Sequence, residues 1–318
     1  MKDFPRFAVL AVIPMVLVAC GNDDDASEAA EPGQSETTAA EASFPVTVGD
    51  GDAAVEIPAA PERIVSLSPT ATEMLFAIDA GDEVVAADEY SNYPEEAPTT
   101  DLSGFEPNVE AIVGYDPDLV VASSDPGQLV SSLAEIDVPT LVLAPATSLD
   151  DTYSQIEQLG AATGNVGEAA EVVAGVRSDI DEIIAEVPED AEDVTYFHEV
   201  DSNLYTVTGS TFIGELYGLA GMVNIADEAP EAGGEYPQLS PEFIVSADPD
   251  MIFFADGGEG GVTTEDIAGR PGWDELTAVR EDRVFEVDSD VASRWGPRVV
   301  DYLRFLVDER VGMLEPVG

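Results

Sequence analysis

The sequence predicts an α/β fold in which two parallel-sheet α/β lobes are joined by one long helix. Three observations favour it: apolar β-branched runs that alternate with helical patterns, one long amphipathic stretch near the middle of the chain, and an internal repeat. The chain has 318 residues and an apolar content of 45%, which is enough for two domains that each bury a core.

Short apolar runs fall into two sets, one on each side of the middle of the chain. The first set predicts strands at 63–67, 83–87, 118–122 and 140–143, and the second at 194–200, 205–207, 251–254 and 284–287. Helical patterns separate the runs. Because strands that alternate with helices pair in parallel, the two sets predict two parallel sheets covered by helices.

A long helix is predicted between the two sets. Apolar residues recur every three or four positions from Val166 to Val187, with polar residues opposite, and Pro188 then ends the pattern. About 22 residues at a rise of 1.5 Å give roughly 33 Å, which is enough to cross a domain. We therefore predict an N-terminal lobe, a connecting helix and a C-terminal lobe at 45–164, 165–188 and 189–318.

The internal repeat indicates that the lobes are built alike. Residues 108–121 recur as 240–253, with Glu, Ile, Val and the Asp-Pro-Asp tripeptide in register. Asn108 and Ser240 are favourable N-cap residues, so each copy predicts a short helix, a tight turn and a buried strand. Two copies of one unit predict two lobes related by a pseudo-twofold axis.

The charge balance is strongly acidic. Asp and Glu number 66 against 11 Lys and Arg, giving a net charge of -55 at pH 7. Such a field repels nucleic acid, whose phosphates need clustered basic side chains, so we exclude nucleic acid as a partner. Self-repulsion at this density has to be screened by salt, which indicates a halophilic protein; the alternative is a very soluble acidic one.

The N-terminus predicts a targeting segment. Lys2 and Arg6 precede a short apolar run that ends at Cys20, the only cysteine. The run is too short to span a bilayer, and Leu-Val-Ala-Cys resembles the bacterial lipoprotein box, which implies an acylated Cys20. We predict a signal peptide at 1–19, an acidic disordered tether at 20–44, and an extracytoplasmic protein anchored by lipid to the outer face of the cell membrane. The alternative is an ordinary secretory signal with an incidental cysteine.

Signatures of catalysis are missing from the sequence. It contains no Gly-x-Ser-x-Gly elbow and no Walker loop, and its only histidine, His198, falls in a predicted strand. One histidine argues against a zinc or manganese site, which needs several. We therefore expect a protein that is not an enzyme, without catalytic residues, resident cofactor or metal ligands, and with His198 in a buried structural role.

Several segments resemble the periplasmic binding proteins of cobalamin and iron-siderophore ABC importers. They are Arg-Ile-Val-Ser-Leu-Ser-Pro-Thr-Ala-Thr-Glu at 63–73, Tyr-Ser-Asn-Tyr-Pro at 90–94, both copies of the repeat, and 270–279. The resemblance implies a ligand cleft between the two lobes, little closure on binding, and delivery to an ABC permease dimer. It also implies cobalamin or a related corrinoid as the transported ligand. A ferric siderophore or haem is the alternative within the family, and a tethered surface sensor or adhesin domain is the alternative outside it.

The resemblance also indicates candidate ligand-binding residues by motif position. Tyr90 and Phe105 would line the N-terminal lobe, and Tyr236, Asp290 and Arg294 the C-terminal lobe. Aromatic faces with a few fixed polar groups suit a large, partly apolar ligand. Ordinary packing is the alternative for each aromatic residue, and a structural ion pair is the alternative for Arg294.

Three glutamates are predicted to have roles other than ligand binding. Thr70-Ala-Thr-Glu73 fits a capping box, which gives Glu73 a structural role. Glu110 and Glu242 are the paired carboxylates of the repeat, and each is predicted in the first turn of a helix, where a negative charge favours the helix dipole. The resemblance implies that Glu110 and Glu242 also meet arginines on the two permease subunits.

Overall fold

The structure, a computed structural model, describes residues 43–49, 51–188, 193–229, 233–258 and 260–313. All of these residues belong to one compact unit. The predicted signal peptide, Cys20 and all but the last two residues of the predicted tether lie outside them. Within the described ranges, no helix is both long and apolar enough to cross a membrane.

The N-terminal lobe is built on a five-stranded parallel sheet. Strands β1 (Val46–Val48) and β2 (Val55–Ile57) form an antiparallel hairpin before it. The sheet consists of β3 (Ile64–Leu67), β4 (Val84–Asp88), β5 (Thr99–Leu102), β6 (Leu119–Ala122) and β7 (Thr140–Val142), in the order β5-β4-β3-β6-β7. Its helices are α1 (Pro69–Ala77), α2 (Val109–Val113), α3 (Leu129–Ala134) and α4 (Leu149–Thr163).

The four strands predicted for this lobe are confirmed, and the structure adds a fifth. Every residue of β3 and β6 is buried, as expected of central strands covered by helices on both faces. Strand β5 lies at the edge of the sheet and has the sequence Thr-Thr-Asp-Leu. Thr99 and Asp101 are exposed and Leu102 is its only apolar residue, so it lacks the apolar pattern by which a strand is recognised.

The predicted connecting helix is α5 (Val166–Ile184). Its buried residues are spaced three or four apart, at Ala169, Val173, Val176, Ile180 and Ile183, and it packs against α4 and the C-terminal helix. The contact with α4 is close, because a Cβ at Gly160 would collide with the Cβ of Ala169. A glycine therefore permits the tight crossing of these two helices.

The C-terminal lobe is built on a four-stranded parallel sheet. Strands β8 (Val194–Glu199), β9 (Met222–Asn224), β10 (Met251–Phe254) and β11 (Val284–Glu286) lie in the order β11-β10-β8-β9. The helices are α6 (Phe212–Leu219), α7 (Pro241–Ala247), α8 (Thr264–Ala268), α9 (Thr277–Arg280), α10 (Ser289–Ser293) and α11 (Val299–Gly312).

One strand prediction in this lobe is wrong. Residues 205–207 do not join the sheet, and only an isolated antiparallel bridge links Tyr205 to Gln238. The β-branched composition of the segment suits this irregular pairing as well as it suits a strand. Strand β9, which the sequence does not predict, takes the edge position instead.

The two repeat copies have the same structure. The first copy forms α2 and β6, and the second forms α7 and β10. Each turn between helix and strand has an aspartate with positive φ, 52° at Asp116 and 47° at Asp248. The next aspartate of each tripeptide accepts a backbone N–H from the neighbouring strand region: Asp118 from Arg63 and Asp250 from Thr195, each at 2.9 Å. The lobes therefore share one building unit, as the sequence predicts.

His198 lies in the core of the C-terminal lobe, as predicted. It is buried in β8, and its Nδ1 is 2.9 Å from the hydroxyl oxygen of Tyr217, which accepts a hydrogen bond from the hydroxyl of Tyr302. Burial lowers the pKa of His198 to about 4. The imidazole is therefore neutral at neutral pH and serves packing and hydrogen bonding in the core.

Strand order indicates where each lobe can receive a ligand. All strands of these two sheets run parallel, but the order in which successive strands are added to the sheet reverses between β3 and β6 in the first sheet and between β8 and β10 in the second. In open parallel sheets, the crevice for a ligand lies outside the carboxyl ends of the strands at such a point. The carboxyl edges of both sheets are therefore where functional side chains are expected.

Candidate functional site

A buried ion-pair cluster joins the two lobes. Glu73 of α1 accepts hydrogen bonds at Oε1 from Arg294 (2.9 Å) and Arg298 (3.3 Å), both from the C-terminal lobe. The side chains of Glu73 and Arg294 are only 2% and 5% exposed. Burial raises the pKa of Glu73, while the two guanidinium groups oppose that shift. A charge pair this deeply buried fixes one lobe on the other, because separating the lobes would strand both charges.

The capping-box prediction for Glu73 is wrong. The N-cap of α1 is Ser68, whose side chain accepts a hydrogen bond from the backbone N–H of Ala71 at 3.3 Å. Glu73 lies in the middle of α1 and points into the interface between the lobes. No local sequence signal indicates this, because the partner Arg294 lies more than 200 residues further along the chain.

The same cluster holds the loop that follows β4. Arg294 donates a second hydrogen bond to the backbone carbonyl of Tyr90 at 3.0 Å, and its guanidinium also pairs with Asp290 at 2.9 Å. The amide of Asn92 donates to the other carboxylate oxygen of Asp290 at 2.7 Å. The segment 90–92 of the first lobe is therefore tied to α10 of the second, and we call this junction the cleft floor.

Two aromatic side chains stand beside the cleft floor on the N-terminal lobe. Tyr90 is 53% exposed and Phe105 is 75% exposed. Their ring centroids are 6.0 Å apart in an edge-to-face arrangement, so the two rings form one wall. Phe105 is brought there by Gly104, at which a Cβ would collide with the carbonyl oxygen of Leu67 at the carboxyl end of β3.

A buried hydroxyl network supports the loop of Tyr90 from beneath. Ser91 donates from its hydroxyl to the carboxylate of Asp88 at 2.7 Å, and the hydroxyls of Thr72 and Ser91 are 2.9 Å apart. Thr72 in turn donates to the hydroxyl of Ser66 at 2.8 Å. Burial raises the pKa of Asp88. The network links β3, α1 and the end of β4, so the Tyr90 wall stands on rigid elements.

An irregular segment of the C-terminal lobe carries the third exposed aromatic residue of the predicted ligand set. The backbone N–H groups of Thr206 and Thr208 donate to the carbonyls of Pro237 and Glu235, each at 2.9 Å. This pairing follows the carboxyl end of β8 and presents Tyr236, which is 53% exposed. The sequence predicts Tyr236 as a ligand-binding residue. The side chain is exposed, and its contact with a ligand stays a prediction.

Arg294 and Asp290, unlike the exposed aromatic residues, are engaged in contacts within the protein. The guanidinium of Arg294 is committed to Glu73, Asp290 and the Tyr90 carbonyl, which is the structural ion pair given above as the alternative. Asp290 keeps a side chain that is 42% exposed. Contact of either residue with a ligand stays a prediction.

A second buried ion pair lies at the carboxyl end of β8 and is missed by the sequence analysis. Glu199 is the last residue of β8, and its side chain is fully buried. Both of its oxygens accept hydrogen bonds from Arg270, whose Nη2 is 2.6 Å from Oε1 and whose guanidinium lies 4.7 Å from the ring centroid of Trp273. Burial raises the pKa of Glu199 and Arg270 opposes the shift. The pair anchors the segment 270–273 to the sheet.

The repeat glutamates occupy equivalent exposed positions. Glu110 is the second residue of α2, which is capped by the side chain of Asn108, and Glu242 is the second residue of α7, which is capped by the side chain of Ser240. Both carboxylates are exposed to solvent. One such glutamate on each lobe forms a matched pair of surface anions.

Fold and site together define a class of protein. Two parallel α/β lobes are fixed to each other by a helix and buried ion pairs, and exposed aromatic walls stand at the carboxyl edges of the sheets. This is the architecture of a bilobal ligand-binding protein. The periplasmic binding protein family matches residues 64–291, and the chain belongs to that family.

Proteins similar in sequence and structure define the functional class of the chain more closely. The chain is 31% identical over 312 residues to the uncharacterized ABC transporter substrate-binding lipoprotein YvrC of Bacillus subtilis, with 95% of each chain covered. It is 34% identical over 255 residues to the cobalamin-binding protein of Halobacterium salinarum, covering 78% of this chain and 68% of that one. The crystal structure of the periplasmic vitamin B12 binding protein BtuF of Vibrio cholerae superposes with a TM-score of 0.64 at 25% identity, covering 80% of this chain and 99% of that one. The predicted family, fold class and function class are confirmed: this is a substrate-binding protein of an ABC transporter.

The buried cluster generates a stability prediction. Glu73→Ala removes the only buried counterion of Arg294 in the described structure and leaves it the partly exposed Asp290, so we expect a loss of about 3–5 kcal/mol in the free energy of unfolding. The control is Glu186→Ala, which removes an exposed pair with Arg304 and is expected to cost less than about 1 kcal/mol. Urea unfolding at one fixed salt concentration measures both. Equal losses for the two variants would show that the Glu73 pair does not hold the lobes together.

Proposed function

We propose that the protein captures cobalamin or a related corrinoid in the cleft between its lobes and delivers it to an ABC permease dimer, without catalysis. The observation that carries this proposal is the exposed aromatic wall of Tyr90 and Phe105 on a rigid floor, with Tyr236 presented from the other lobe. Large aromatic side chains that are exposed side by side indicate a binding surface, because exposing apolar area to water is unfavourable. The relative from Halobacterium salinarum, named as a cobalamin-binding protein, supports the same ligand.

A corrinoid suits such a cleft for chemical reasons. It is a broad, flat macrocycle with apolar faces and a rim of amides. Aromatic rings can cover the faces, and the half-buried carboxylate of Asp290 can accept further hydrogen bonds from rim amides. A pre-formed floor lowers the entropy that binding would otherwise cost.

A ferric siderophore or haem is the second candidate, and one observation bears on it. His198 is buried in the core of the C-terminal lobe, so an axial histidine ligand for haem iron is not available at the cleft. Tyr90 and Tyr236 carry exposed phenols that could approach iron. Titration with haem and a ferric trihydroxamate beside cobalamin separates these candidates.

Delivery is proposed to depend on Glu110 and Glu242. Each lies in the first turn of an equivalent helix on a different lobe, which suits a partner with twofold symmetry. An arginine on each permease subunit would complement one carboxylate. Exposed charge pairs of this kind set docking register and association rate more than they set ligand affinity.

The protein is proposed to act outside the cytoplasm while attached to the membrane by lipid on Cys20. The apolar run and the terminal cysteine of the leader support this, as does the lipoprotein from Bacillus subtilis to which nearly the whole chain aligns. Contact with a permease then requires diffusion in two dimensions only.

The first prediction concerns the anchor. Cys20→Ser removes the only thiol, so the protein should appear in the culture medium when the variant is expressed in a host that processes lipoproteins. Immunoblots of membrane and medium fractions measure the distribution. Membrane retention equal to that of the unaltered chain would rule out an anchor on Cys20.

The second prediction concerns the aromatic walls. Tyr90→Ala and Tyr236→Ala should each weaken cobalamin binding about tenfold, because each removes a stacking surface. Melting temperature should change little. Spectral titration measures affinity, and Ile136→Ala, which truncates an exposed apolar side chain elsewhere on the N-terminal lobe, is the control. Unchanged affinity in both tyrosine variants would mean that the ligand lies elsewhere.

The third prediction concerns delivery. The double variant Glu110→Ala/Glu242→Ala should bind cobalamin normally but support little uptake in cells that carry the cognate permease, and each single variant should give a partial defect. The control is Glu168→Ala/Glu265→Ala, which removes two other glutamates from first helical turns and should transport normally. Normal uptake by the Glu110/Glu242 variant would leave only the helix-dipole role for these residues.

A further inference from the structure

We propose that the cleft selects its ligand by charge, binding cationic metal complexes more tightly than neutral ones and neutral ones more tightly than anionic ones, and that Glu89, Glu106 and Glu235 perform the selection. We call these three residues the cleft glutamates. The inference rests on the proposed function, because it concerns the same cleft.

Each cleft glutamate is the chain neighbour of one exposed aromatic residue: Tyr90, Phe105 or Tyr236. All three glutamates are exposed. In the part of the chain that the structure describes, none of their carboxylates forms an ion pair with an arginine. Burial raises the pKa of the Tyr236 hydroxyl, and the neighbouring charge of Glu235 raises it further.

Arginines do not offset this charge. Nine arginines follow the leader, and all nine occupy described positions. Two of them, Arg294 and Arg270, lie at the carboxyl edges of the sheets, and both are neutralised by buried or half-buried carboxylates. Arg298 shares the carboxylate of Glu73 with Arg294 and also pairs with Asp301.

The other six arginines lie away from the cleft. Arg63 precedes β3 and donates to the carbonyls of Tyr115 and Asp116, at the amino edge of the sheet. The remaining five lie on α5, α9 and α11 or just before β11, and they are Arg177, Arg280, Arg283, Arg304 and Arg310. An anionic ligand would therefore meet three unpaired carboxylates at the walls, and the guanidinium groups nearest to it are already neutralised.

The size of the effect follows from Coulomb's law. A ligand charge roughly 8–10 Å from three carboxylates changes affinity by about tenfold in water without salt, and by about two- to fivefold at roughly 0.15 M salt. At molar salt the Debye length falls to about 3 Å, and the selection should vanish. Salt dependence therefore distinguishes charge selection from shape selection.

The test uses three corrinoids whose net charges differ by one unit from one to the next. Aquacobalamin is a cation, cyanocobalamin is neutral, and a cyanocobalamin monocarboxylate, with one propionamide hydrolysed, is an anion. Each is titrated into the mature chain at the lowest NaCl concentration that preserves the native circular dichroism spectrum, and again at about 2 M NaCl. We expect affinity to fall in that order by about two- to fivefold per step at the lower salt concentration, and to converge at the higher one.

Matched variants assign the effect to the cleft. Glu89→Gln/Glu106→Gln/Glu235→Gln should level the three affinities at low salt. Glu157→Gln/Glu168→Gln/Glu171→Gln, which changes the net charge by the same amount on α4 and α5, should keep the order. Equal affinities of the unaltered chain for the three corrinoids, or tightest binding of the monocarboxylate, would overturn charge selection while leaving corrinoid binding intact.

The test also distinguishes failure of the corrinoid proposal from failure of charge selection. If no corrinoid binds, the corrinoid proposal is wrong, and the same rule is tested on ferric desferrioxamine B, a cation, with its neutral N-acetyl and anionic N-succinyl derivatives. Affinities that fall in that order support charge selection. Equal affinities, the reverse order or no binding of any of the three overturn it.

Discussion

The buried pair of Glu73 and Arg294 is the interaction on which the geometry of the cleft depends. It crosses from one lobe to the other with both side chains almost fully buried. Through Arg294 it also holds the backbone of Tyr90 and the side chain of Asp290. One guanidinium therefore links the arrangement of the two lobes to the position of the aromatic wall.

Apolar packing reinforces this constraint. One hydrophobic cluster runs through both lobes and includes residues of α1, α4, α5, α6 and α11. Further polar contacts cross the same boundary: Trp295 donates to the side chain of Gln155 at 2.8 Å, and the backbone N–H of Leu149 donates to Glu215 at 2.9 Å. Closing the lobes by a hinge would break these contacts together, so the contacts hold the two lobes in one arrangement. The proposed delivery to a partner with fixed spacing would benefit from such a fixed arrangement.

The sequence predicted most of the fold because its signals are local. Central strands β6 and β10 are uninterrupted apolar runs, α5 has a complete apolar stripe, and the repeat marks α2–β6 and α7–β10. Edge strands β5 and β9 were not predicted, since half-exposed edges need little apolar sequence. Residues 205–207 look like a strand but pair only with a loop.

The site was less predictable for a physical reason. Exposed residues such as Tyr90, Phe105 and Tyr236 could be proposed from motifs, but their contact with a ligand stays a prediction. The roles of Glu73 and Arg270 depend on partners distant in the chain, at Arg294 and Glu199, and no local pattern encodes such pairs. The scarcity of arginine is the one sequence signal for these pairs. In so acidic a chain an arginine is expected to have a specific role, and several buried or half-buried arginines each neutralise a particular carboxylate.

A distance measurement between the lobes tests their fixed arrangement most directly. Ser131 on α3 and Ser246 on α7 are exposed, and Ser131→Cys/Ser246→Cys in a Cys20→Ser background allows two spin labels to be attached. Double electron–electron resonance should give one narrow distance distribution whose mean moves by less than about 2 Å when cobalamin is added. A shift well beyond that value, or two resolved distances in the unliganded protein, would contradict a cleft fixed by the Glu73–Arg294 pair.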